Sequence, residues 1–428
     1  DLHAVAAAHN LISAALDSNL HFHNLEGISI RNIRWKRVVD MNDRALRNIV
    51  IGLGGKANSV PRETGFDITA ASEVMAILCL SLSYTELKEK IGNILLSFTV
   101  HKEPFLVKNL KIEGAVTALL KDALLPNLVQ TIENTPAFIH GGPFANIAQG
   151  TNSILATKLA MSLSDYVITE AGFGFDLGAE KFFDIVCRYG NFCPSAVILV
   201  ATIRALKLHG GVPLKELDKP NPEAVSAGGV NLEKHIESIA KFGMHAIVAI
   251  NRFSTDTEEE IQAVEEICKK KGIDYSVADF FGKGGAGGLE LGEKTVKMVN
   301  SYKCKYKPLY DLDIKVEEKI ETIAREIYGA KAVDYLPTAR DDLKQIYKYK
   351  YDKLPICVAK TQNSLSDNPD LLGRPKDFLV TVRQIIISSG AGFLVPLTGE
   401  IMRMPGLPSV PAAQEIDIDD AGNISGLF

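Results

Sequence analysis

The sequence lacks the features that would place the protein in a membrane or in an oxidising compartment. No apolar run reaches the ~20 residues that span a bilayer, and we expect no secretory signal peptide at the N-terminus. The six cysteines are scattered along 428 residues, as is typical of a reducing compartment. A net charge of −5 gives no general reason to expect nucleic acid or an anionic membrane as a partner. We therefore expect a cytoplasmic protein.

The sequence also lacks a zinc-binding pattern. Cys187 and Cys193 lie close together in CRYGNFC, but no second Cys or His pair stands at zinc spacing. Ordinary buried thiols are therefore favoured over a metal site. The chain opens with DLHAVAAAHNLISAAL, which has neither a Met nor a polar lead-in and already has the pattern of a helix inside a domain. We therefore expect a part of the protein to precede it.

Alternating strand, loop and helix patterns predict an α/β fold with a mostly parallel sheet covered by helices. Helices are predicted at 66–82 and at 256–272, where an acidic first turn, a basic last turn and Gly272 suit the helix dipole and a C-cap. The pattern of predicted helices and strands changes from about residue 303. We place domain boundaries near 225 and 330, which divide the chain into 1–225, 226–330 and 331–428. Short apolar runs bounded by Gly or Pro predict strands, most of them buried on both faces, at 47–55, 136–142, 165–172, 195–203 and 245–253.

Unusual loops follow several predicted strands, where ligands collect in open parallel sheets. HGGPFANIAQG contains His140 and Asn146, and TEAGFGFDLGAEKFF places Phe173 between glycines ahead of a helix N-terminus, which suits an anion. Turn formation alone explains the glycines of the first loop equally well. GLGGKANSVPRETGFD offers anion contacts through Lys56 and Arg62.

Cationic and aromatic side chains follow three further strands. Arg204 and Lys207 in ATIRALKLHGG share a helix face and either clamp an anion or form a solvated surface. Phe253 and Phe281 follow two predicted strands that we expect to be neighbours. The two rings either form the walls of a slot for a planar ligand or pack in the core.

The glycine-rich stretch FFGKGGAGGLELG (280–292) is not a Walker A loop. That motif, G-x-x-x-x-G-K-[ST], places Lys after the glycines and a hydroxyl residue after the Lys. Here Lys283 precedes most of the glycines, and no Ser or Thr follows. The other glycine clusters also lack G-K-[ST], so these 428 residues contain no P-loop.

Long sequence blocks, in a fixed order from residue 1 to residue 428, resemble the formate–tetrahydrofolate ligase (formyltetrahydrofolate synthetase) family of the bacterial monofunctional type. The resemblance implies the remainder of a large P-loop-NTPase-like sheet domain, followed by two smaller α/β domains. It implies that ATP and formate form formyl phosphate, which N10 of tetrahydrofolate then attacks. The blocks that carry the resemblance are DLHAVAAAHNL, RALRNIVIGLGGKANSVPRETGFDI, KDALLPNLVQTIENTPAFIHGGPFANIAQG, VITEAGFGFDLGAEKFFDI, VATIRALKLHGGVP, NLEKHIESIAKFG, GKGGAGGLEL, MPGLPSVPAA and the closing GLF.

The resemblance also implies roles for individual residues. Asp1 matches the acidic residue beside the formyl phosphate, and Thr64 matches the threonine of PRET in the active-site cleft. The glycine-rich stretch becomes a wall near the folate and the nucleotide. The folate slot then contains Phe173, Phe253, Ser254, Val277 and Phe281, and the surroundings of the nucleotide contain Lys56, Arg62, Asn146, Lys283, Gly284 and Gly285.

Several positions depart from the family pattern and bear on the geometry of the substrates. Phe281 replaces a tryptophan and keeps the stacking face without the indole N–H. Ser254 stands where proline is common, and Val277 stands where leucine lines the slot. Gln149 replaces a histidine, and Phe175 replaces a small residue, which predicts a narrower cleft.

The family's P-loop and the Arg-Glu pair after it lie upstream of the segment that begins at Asp1. We therefore expect this chain alone to form formyl phosphate inefficiently, because the phosphate cradle supplies the main electrostatic stabilisation. The resemblance implies ATP as co-substrate with Mg²⁺, allows a monovalent cation, and implies a homotetramer. The alternatives are a non-catalytic folate- or nucleotide-binding remnant and, less favoured, a dinucleotide oxidoreductase, since G-x-G-x-x-G with its acidic partner is absent.

Overall fold

The computed structural model describes residues 1–22 and 27–427 and contains helices interleaved with several small sheets. The predicted α/β class is confirmed. Phe428, which closes the GLF motif, lies outside the described residues. In the described part no helix is long and apolar enough to cross a membrane.

The first part of the chain consists of short elements around one long helix. They are α1 (Leu2–Phe22), β1 (Arg37–Val39), β2 (Ile49–Ile51), β3 (Arg62–Thr64), β4 (Phe66–Ile68), α2 (Glu73–Cys79), α3 (Tyr84–Gly92), β5 (Leu95–Phe98), β6 (Pro104–Leu106), α4 (Val107–Leu110), α5 (Glu113–Leu119), β7 (Asn127–Gln130), β8 (Pro136–Ile139) and α6 (Ile154–Leu163).

Two π-helical stretches, Phe175–Ala179 and Phe182–Cys187, lead into the central part. The elements there are α7 (Arg188–Gly190), β9 (Val197–Ala201), α8 (Ile203–His209), α9 (Pro222–Lys241), β10 (Ala246–Asn251), α10 (Glu258–Lys271), β11 (Asp274–Ala278), α11 (Phe280–Lys283) and α12 (Leu289–Ser301). The last part contains α13 (Val316–Ile323), β12 (Ala332–Tyr335), α14 (Pro337–Lys348), β13 (Leu379–Ser388), β14 (Phe393–Thr398), β15 (Asp417–Ile418) and β16 (Ile424–Ser425).

The central sheet, in the order β11-β10-β9, is parallel throughout. Its middle strand is buried on both faces, because Val248 and Ile250 pack in one cluster with α8, α9 and α10, while Ile247 and Ala249 pack in a second cluster with α12. This two-sided burial explains the continuous apolar run in the sequence. β9 precedes residue 225 and β10 follows it, so the proposed boundary there divides this sheet.

The other described sheets are small and mixed in direction. β1 pairs with β4 in parallel, and β12-β13-β14 combines one parallel and one antiparallel pairing. The remaining pairs, β2-β3, β5-β6, β7-β8 and β15-β16, are antiparallel. One large parallel sheet of the P-loop-NTPase type therefore remains a prediction, as do the domain boundaries.

The helix predicted at 256–272 forms α10, and its ends have the expected chemistry. Thr257 Oγ1 accepts the backbone N–H of Glu260 at 3.3 Å, and the Glu260 carboxylate accepts the backbone N–H of Thr257 at 3.0 Å. This reciprocal capping box satisfies two N–H groups that a helix start otherwise leaves free. Gly272 ends the helix at φ +63°, a conformation that glycine adopts without a steric penalty.

Three predicted elements differ from the structure. The run 136–142 forms β8, but this strand pairs antiparallel with the exposed β7 and is itself partly exposed. The run 165–172 forms no ladder and makes only an isolated bridge between Ala171 and Thr151. The predicted helix at 66–82 begins only at Glu73, because its first residues form β4 alongside β1.

The cysteines also differ from the prediction. Cys193 and Cys304, 6.2 Å apart at Cα, form a disulfide, whereas Cys79, Cys187, Cys268 and Cys357 are free and buried. Spacing in the sequence gave no sign of this pair, because the fold brings together two segments that are 111 residues apart. The expectation of ordinary buried thiols therefore holds for Cys187 and is wrong for Cys193.

Candidate active site

The ends of β10 and β11 bring Phe253 and Phe281 to the same edge of the central sheet. Asn251 lies opposite Ala278 in the parallel register, and adjacent strands lie about 4.8 Å apart. Both rings are exposed, by 41% for Phe253 and 96% for Phe281. The core-packing interpretation therefore does not apply to Phe281, which has almost no protein contact.

Short hydrogen bonds fix the backbone beneath the two rings. The Asp256 carboxylate accepts the backbone N–H of Phe253 at 2.8 Å, and Asp279 Oδ1 accepts the N–H of Gly282 at 3.1 Å. The exposed Ser254 follows the first ring. Val277, on β11, lies opposite Ile250 and is half-buried against the core cluster beneath the slot.

The glycine-rich stretch is held in place by a carboxylate from a distant hairpin. Glu133, between β7 and β8, accepts the backbone N–H of Gly285 at 2.7 Å. Gly284 has φ +57°, and a Cβ there would lie 2.5 Å from the same carboxylate. The positive φ favours glycine at this position, and a larger residue would also displace the Glu133 carboxylate. The ammonium of Lys283, 3.4 Å from Asp279, points back to the start of the same turn.

A cavity of about 550 Å³ lies beside the glycine-rich stretch and the start of α12. Its lining consists of Gly285, Gly288, Leu289, Gly292, Glu293, Val296 and Lys297. Neither Phe253 nor Phe281 contributes to it. Of the predicted site residues, Gly285 borders this cavity, whereas the two exposed rings do not.

A second group of predicted residues surrounds the loop that follows β8. The Asp1 carboxylate accepts the backbone N–H of Gly141 at 2.7 Å. Asn146 reaches Gln362 at 3.5 Å, and its side-chain oxygen has no hydrogen-bond partner within the described residues. The amide of Gln149 is fully buried and is likewise without described partners.

His140, the histidine of this loop, is buried and forms hydrogen bonds that hold neighbouring segments together. Its side chain is 3% exposed, with Nε2 2.7 Å from Ala123 O and Nδ1 2.6 Å from Ser153 Oγ. Because a carbonyl only accepts, Nε2 carries the proton and Nδ1 accepts from the serine. Burial lowers the pKa of His140, which favours this neutral form.

Phe173 has the least usual backbone of the predicted site residues. It has φ +60° between Gly172 and Gly174, and its side chain is 57% exposed. Bulky residues rarely adopt this conformation, and such outliers cluster at functional sites. The predicted narrowing of the cleft by Phe175 is wrong, since its ring packs in the core about 6 Å from those of Phe183 and Phe242.

The residues predicted near the nucleotide in GLGGKANSVPRETGFD lie apart from Asp1. The Arg62 guanidinium is buried against the Asp17 carboxylate at 2.7 Å, near the far end of α1. Asp17 stands sixteen positions after Asp1, which corresponds to about 24 Å along the helix axis. Lys56 is exposed in a short 3₁₀ turn, and Thr64 is buried at the end of β3.

The pair Arg204 and Lys207 does not form an anion clamp. The Lys207 ammonium is fully buried against Glu260 at 2.9 Å, whereas the exposed Arg204 pairs with Asp218. The solvated-face interpretation fits Arg204 alone, and a buried ion pair explains Lys207.

Comparison with known proteins gives the chain a family. All of residues 1–428 match the model of the formate–tetrahydrofolate ligase family. A formate–tetrahydrofolate ligase of Syntrophus aciditrophicus (strain SB) is 61% identical over 427 residues, which cover 100% of this chain and 76% of that protein. The chain belongs to the formate–tetrahydrofolate ligase family. It is therefore an enzyme of the ligase class.

Several residues that hold the predicted site segments in place were not among those predicted from the sequence. Glu133 holds the glycine-rich stretch, Asp17 binds Arg62, and a buried pair of Asp176 and Lys360 lies beneath the Phe173 loop. Their partners are distant in the sequence, so spacing carried no signal for them. Among the described residues of the ligase, no three His, Cys, Asp or Glu side chains cluster as a metal site would require.

Proposed function

We propose that this protein joins formate to N10 of tetrahydrofolate at the expense of ATP, giving 10-formyltetrahydrofolate, ADP and phosphate. The observation that carries the proposal is the pair of exposed rings, Phe253 and Phe281, at the ends of neighbouring parallel strands. Exposed aromatic faces beside a polar backbone suit a flat, hydrogen-bonding ring such as a pterin. Membership of the ligase family suggests tetrahydrofolate as the pterin compound that binds here.

In this proposal the chain's own residues bind and orient the substrates. The pterin stacks between Phe253 and Phe281, with Ser254 and Val277 at the slot's edge. The stretch formed by Lys283, Gly284 and Gly285 provides a backbone wall beside the folate. Phe173 lies on the side of the formyl group.

The proposed reaction proceeds in two steps. A formate oxygen attacks the γ-phosphorus of ATP, which releases ADP and forms formyl phosphate. N10 then attacks the formyl carbon, phosphate leaves, and N10 loses its proton. We assign Asp1 to this centre as the carboxylate beside N10, with its position fixed by the N–H of Gly141.

ATP cleavage requires a phosphate cradle in addition to these residues. A P-loop holds the phosphates through backbone N–H groups and a lysine, and none of these 428 residues forms one. We propose that a segment outside these residues supplies it, with Asn146 near the nucleotide. Mg²⁺ would enter with the ATP phosphates, since the described residues offer no cluster of three His, Cys, Asp or Glu side chains to hold it.

The deciding experiment measures ADP release that depends on both formate and tetrahydrofolate. The chain is assayed alone and after fusion to the preceding segment of a full-length relative, and tetrahydrofolate binding is measured in parallel. We expect binding in both samples and turnover only in the fusion. Turnover by the chain alone at the rate of the fusion refutes the need for a separate cradle. Folate binding without turnover in either sample favours a non-catalytic binding protein.

We also propose a homotetramer in the cytoplasm, in keeping with the family. Sedimentation equilibrium tests the assembly, because a tetramer has four times the chain mass of 46.6 kDa. A single species at the mass of one chain contradicts it.

A further inference from the structure

The loop that carries Phe173 rests on a buried ion pair from a distant part of the chain. The Asp176 carboxylate lies 2.9 Å from the Lys360 ammonium, and the two side chains are 8% and 0% exposed. Gly174 approaches this carboxylate so closely that a Cβ there would lie 2.5 Å from Asp176 Oδ1. The backbone next to Phe173 is thus seated on the ion pair.

Lys360 also holds the neighbouring loop. Its backbone N–H donates to the carbonyl of Asn146 at 3.1 Å. Its ammonium donates to the carbonyls of Thr361, at 2.9 Å, and Ser364, in addition to the Asp176 carboxylate. An ammonium has three protons, so these three acceptors fix its orientation. Lys360 therefore contacts both loops, through its ammonium at the Phe173 loop and through its backbone N–H at the Asn146 loop.

The Phe173 loop needs such support because its backbone is strained. Residues held at positive φ persist only when the surrounding structure determines their conformation. Two hydrogen bonds close the loop, from Gly172 N to Gly150 O at 2.9 Å and from Gly178 N to Gly172 O at 3.1 Å. Gly172 and Gly178 are within four positions of Asp176 in the sequence, so the ion pair lies next to the closed loop.

Burial acts to raise the pKa of Asp176, but the neighbouring Lys360 ammonium, together with His235 and hydrogen bonds, outweighs this effect and holds the pKa below its usual value. Loss of either partner leaves the other charge buried without compensation, which strongly favours rearrangement of the loop.

We propose that Asp176 and Lys360 are positioning residues whose ion pair holds Phe173 in the arrangement needed to bind the folate. The proposal rests on the function proposed above for Phe173. Neither charged group touches the substrate. They act through the backbone of the loop, in the way that supporting groups fix binding residues in other sites.

The test compares Lys360→Met with Lys319→Met. Lys319 is also fully buried, and its ammonium donates to the carbonyls of Asp352 at 2.7 Å and Leu354 at 3.1 Å. The two substitutions remove equally buried ammonium groups, but only the Lys360 ammonium reaches the Phe173 loop, through Asp176. We expect the amides of residues 172–178 to exchange hydrogen at least about tenfold faster in Lys360→Met. We expect tetrahydrofolate to bind about tenfold more weakly, since small misplacements of binding groups have effects of this size.

Lys319→Met should change neither readout, and equal effects of both substitutions on both readouts overturn the proposal. If Lys360→Met does not fold, the double variant with Asp176→Asn removes both charges, and its fast exchange at 172–178 with recovered stability supports the proposal. Slow exchange and unchanged folate affinity in that variant refute it. If the unsubstituted protein binds no tetrahydrofolate, the proposed function fails, and the exchange measurement alone decides whether the pair positions the loop.

Discussion

The substitution Phe281→Ala separates binding from stability more cleanly than any other change in the proposed slot. The Phe281 side chain is 96% exposed, so its removal should change the free energy of unfolding by less than about 0.5 kcal/mol. Stacking of an aromatic side chain on a flat heterocycle contributes roughly 1–3 kcal/mol. The dissociation constant for tetrahydrofolate should therefore rise roughly 5- to 150-fold.

Phe253→Ala should weaken folate binding by a similar amount and also lower stability. The Phe253 side chain is 41% exposed, so the substitution removes the packing contacts of the buried part of the ring. Complete burial of a phenylalanine contributes about 1.5–3 kcal/mol, and we expect about half of that here. The two variants thus differ in stability and agree in ligand affinity.

The assay is isothermal titration of each variant with tetrahydrofolate and, separately, with ATP, alongside urea unfolding. Tyr84→Ala is the control, because this ring is 42% exposed on α3, in the first part of the chain. It should leave folate affinity unchanged. Stacking on the pterin is refuted if Phe253→Ala and Phe281→Ala weaken folate and ATP equally, or if neither weakens folate binding.

Three further predictions concern stability and the cysteines. Asp17→Asn should cost about 3 kcal/mol in urea unfolding, because it leaves the buried Arg62 guanidinium without a carboxylate; a loss below about 1 kcal/mol would show that the pair contributes little. Burial raises the pKa of Glu73 to about 7 from 4.5, so the folded protein keeps a proton that the unfolded chain has lost. Its contribution to stability is full below pH 4.5 and declines as the pH rises through 7, by about 3 kcal/mol in all. Glu73→Gln should therefore be more stable than the parent at pH 8 and equal to it near pH 4.5. If the variant and the parent have the same urea midpoint at pH 8 as well as at pH 4.5, this prediction is wrong. Titration of the unfolded, unreduced chain should find four thiols, because Cys193 and Cys304 are joined; six thiols before reduction would exclude the disulfide.

Local sequence patterns predicted the elements that depend on local chemistry. The capping residues of α10 stand next to the helix they cap, so the sequence contains all the information for that helix. The apolar run of β10 reflects burial on both faces, and Phe253 and Phe281 follow their strands directly. The resemblance in long blocks identified the family, because it depends on the identity and order of the residues alone.

Patterns that depend on a distant partner gave wrong or no predictions. The apolar run at 165–172 forms no ladder within the described residues, because no neighbouring strand lies beside it. His140 looked like a site residue because it stands among glycines, but Ala123 and Ser153 bury it. Phe175 looked like a cleft residue, yet it turns into the aromatic core.

The sequence by itself determined the family, the α/β class, the absence of a P-loop among these residues and the aromatic residues proposed for the folate slot. The tertiary structure alone decided that Arg62 is committed to Asp17, that Glu133 holds the glycine-rich stretch, and that Lys360 supports the Phe173 loop. The reason is physical. Periodicity and capping record interactions between neighbours in the chain, whereas a buried carboxylate acquires its meaning only from the cation that folding brings within about 3 Å of it.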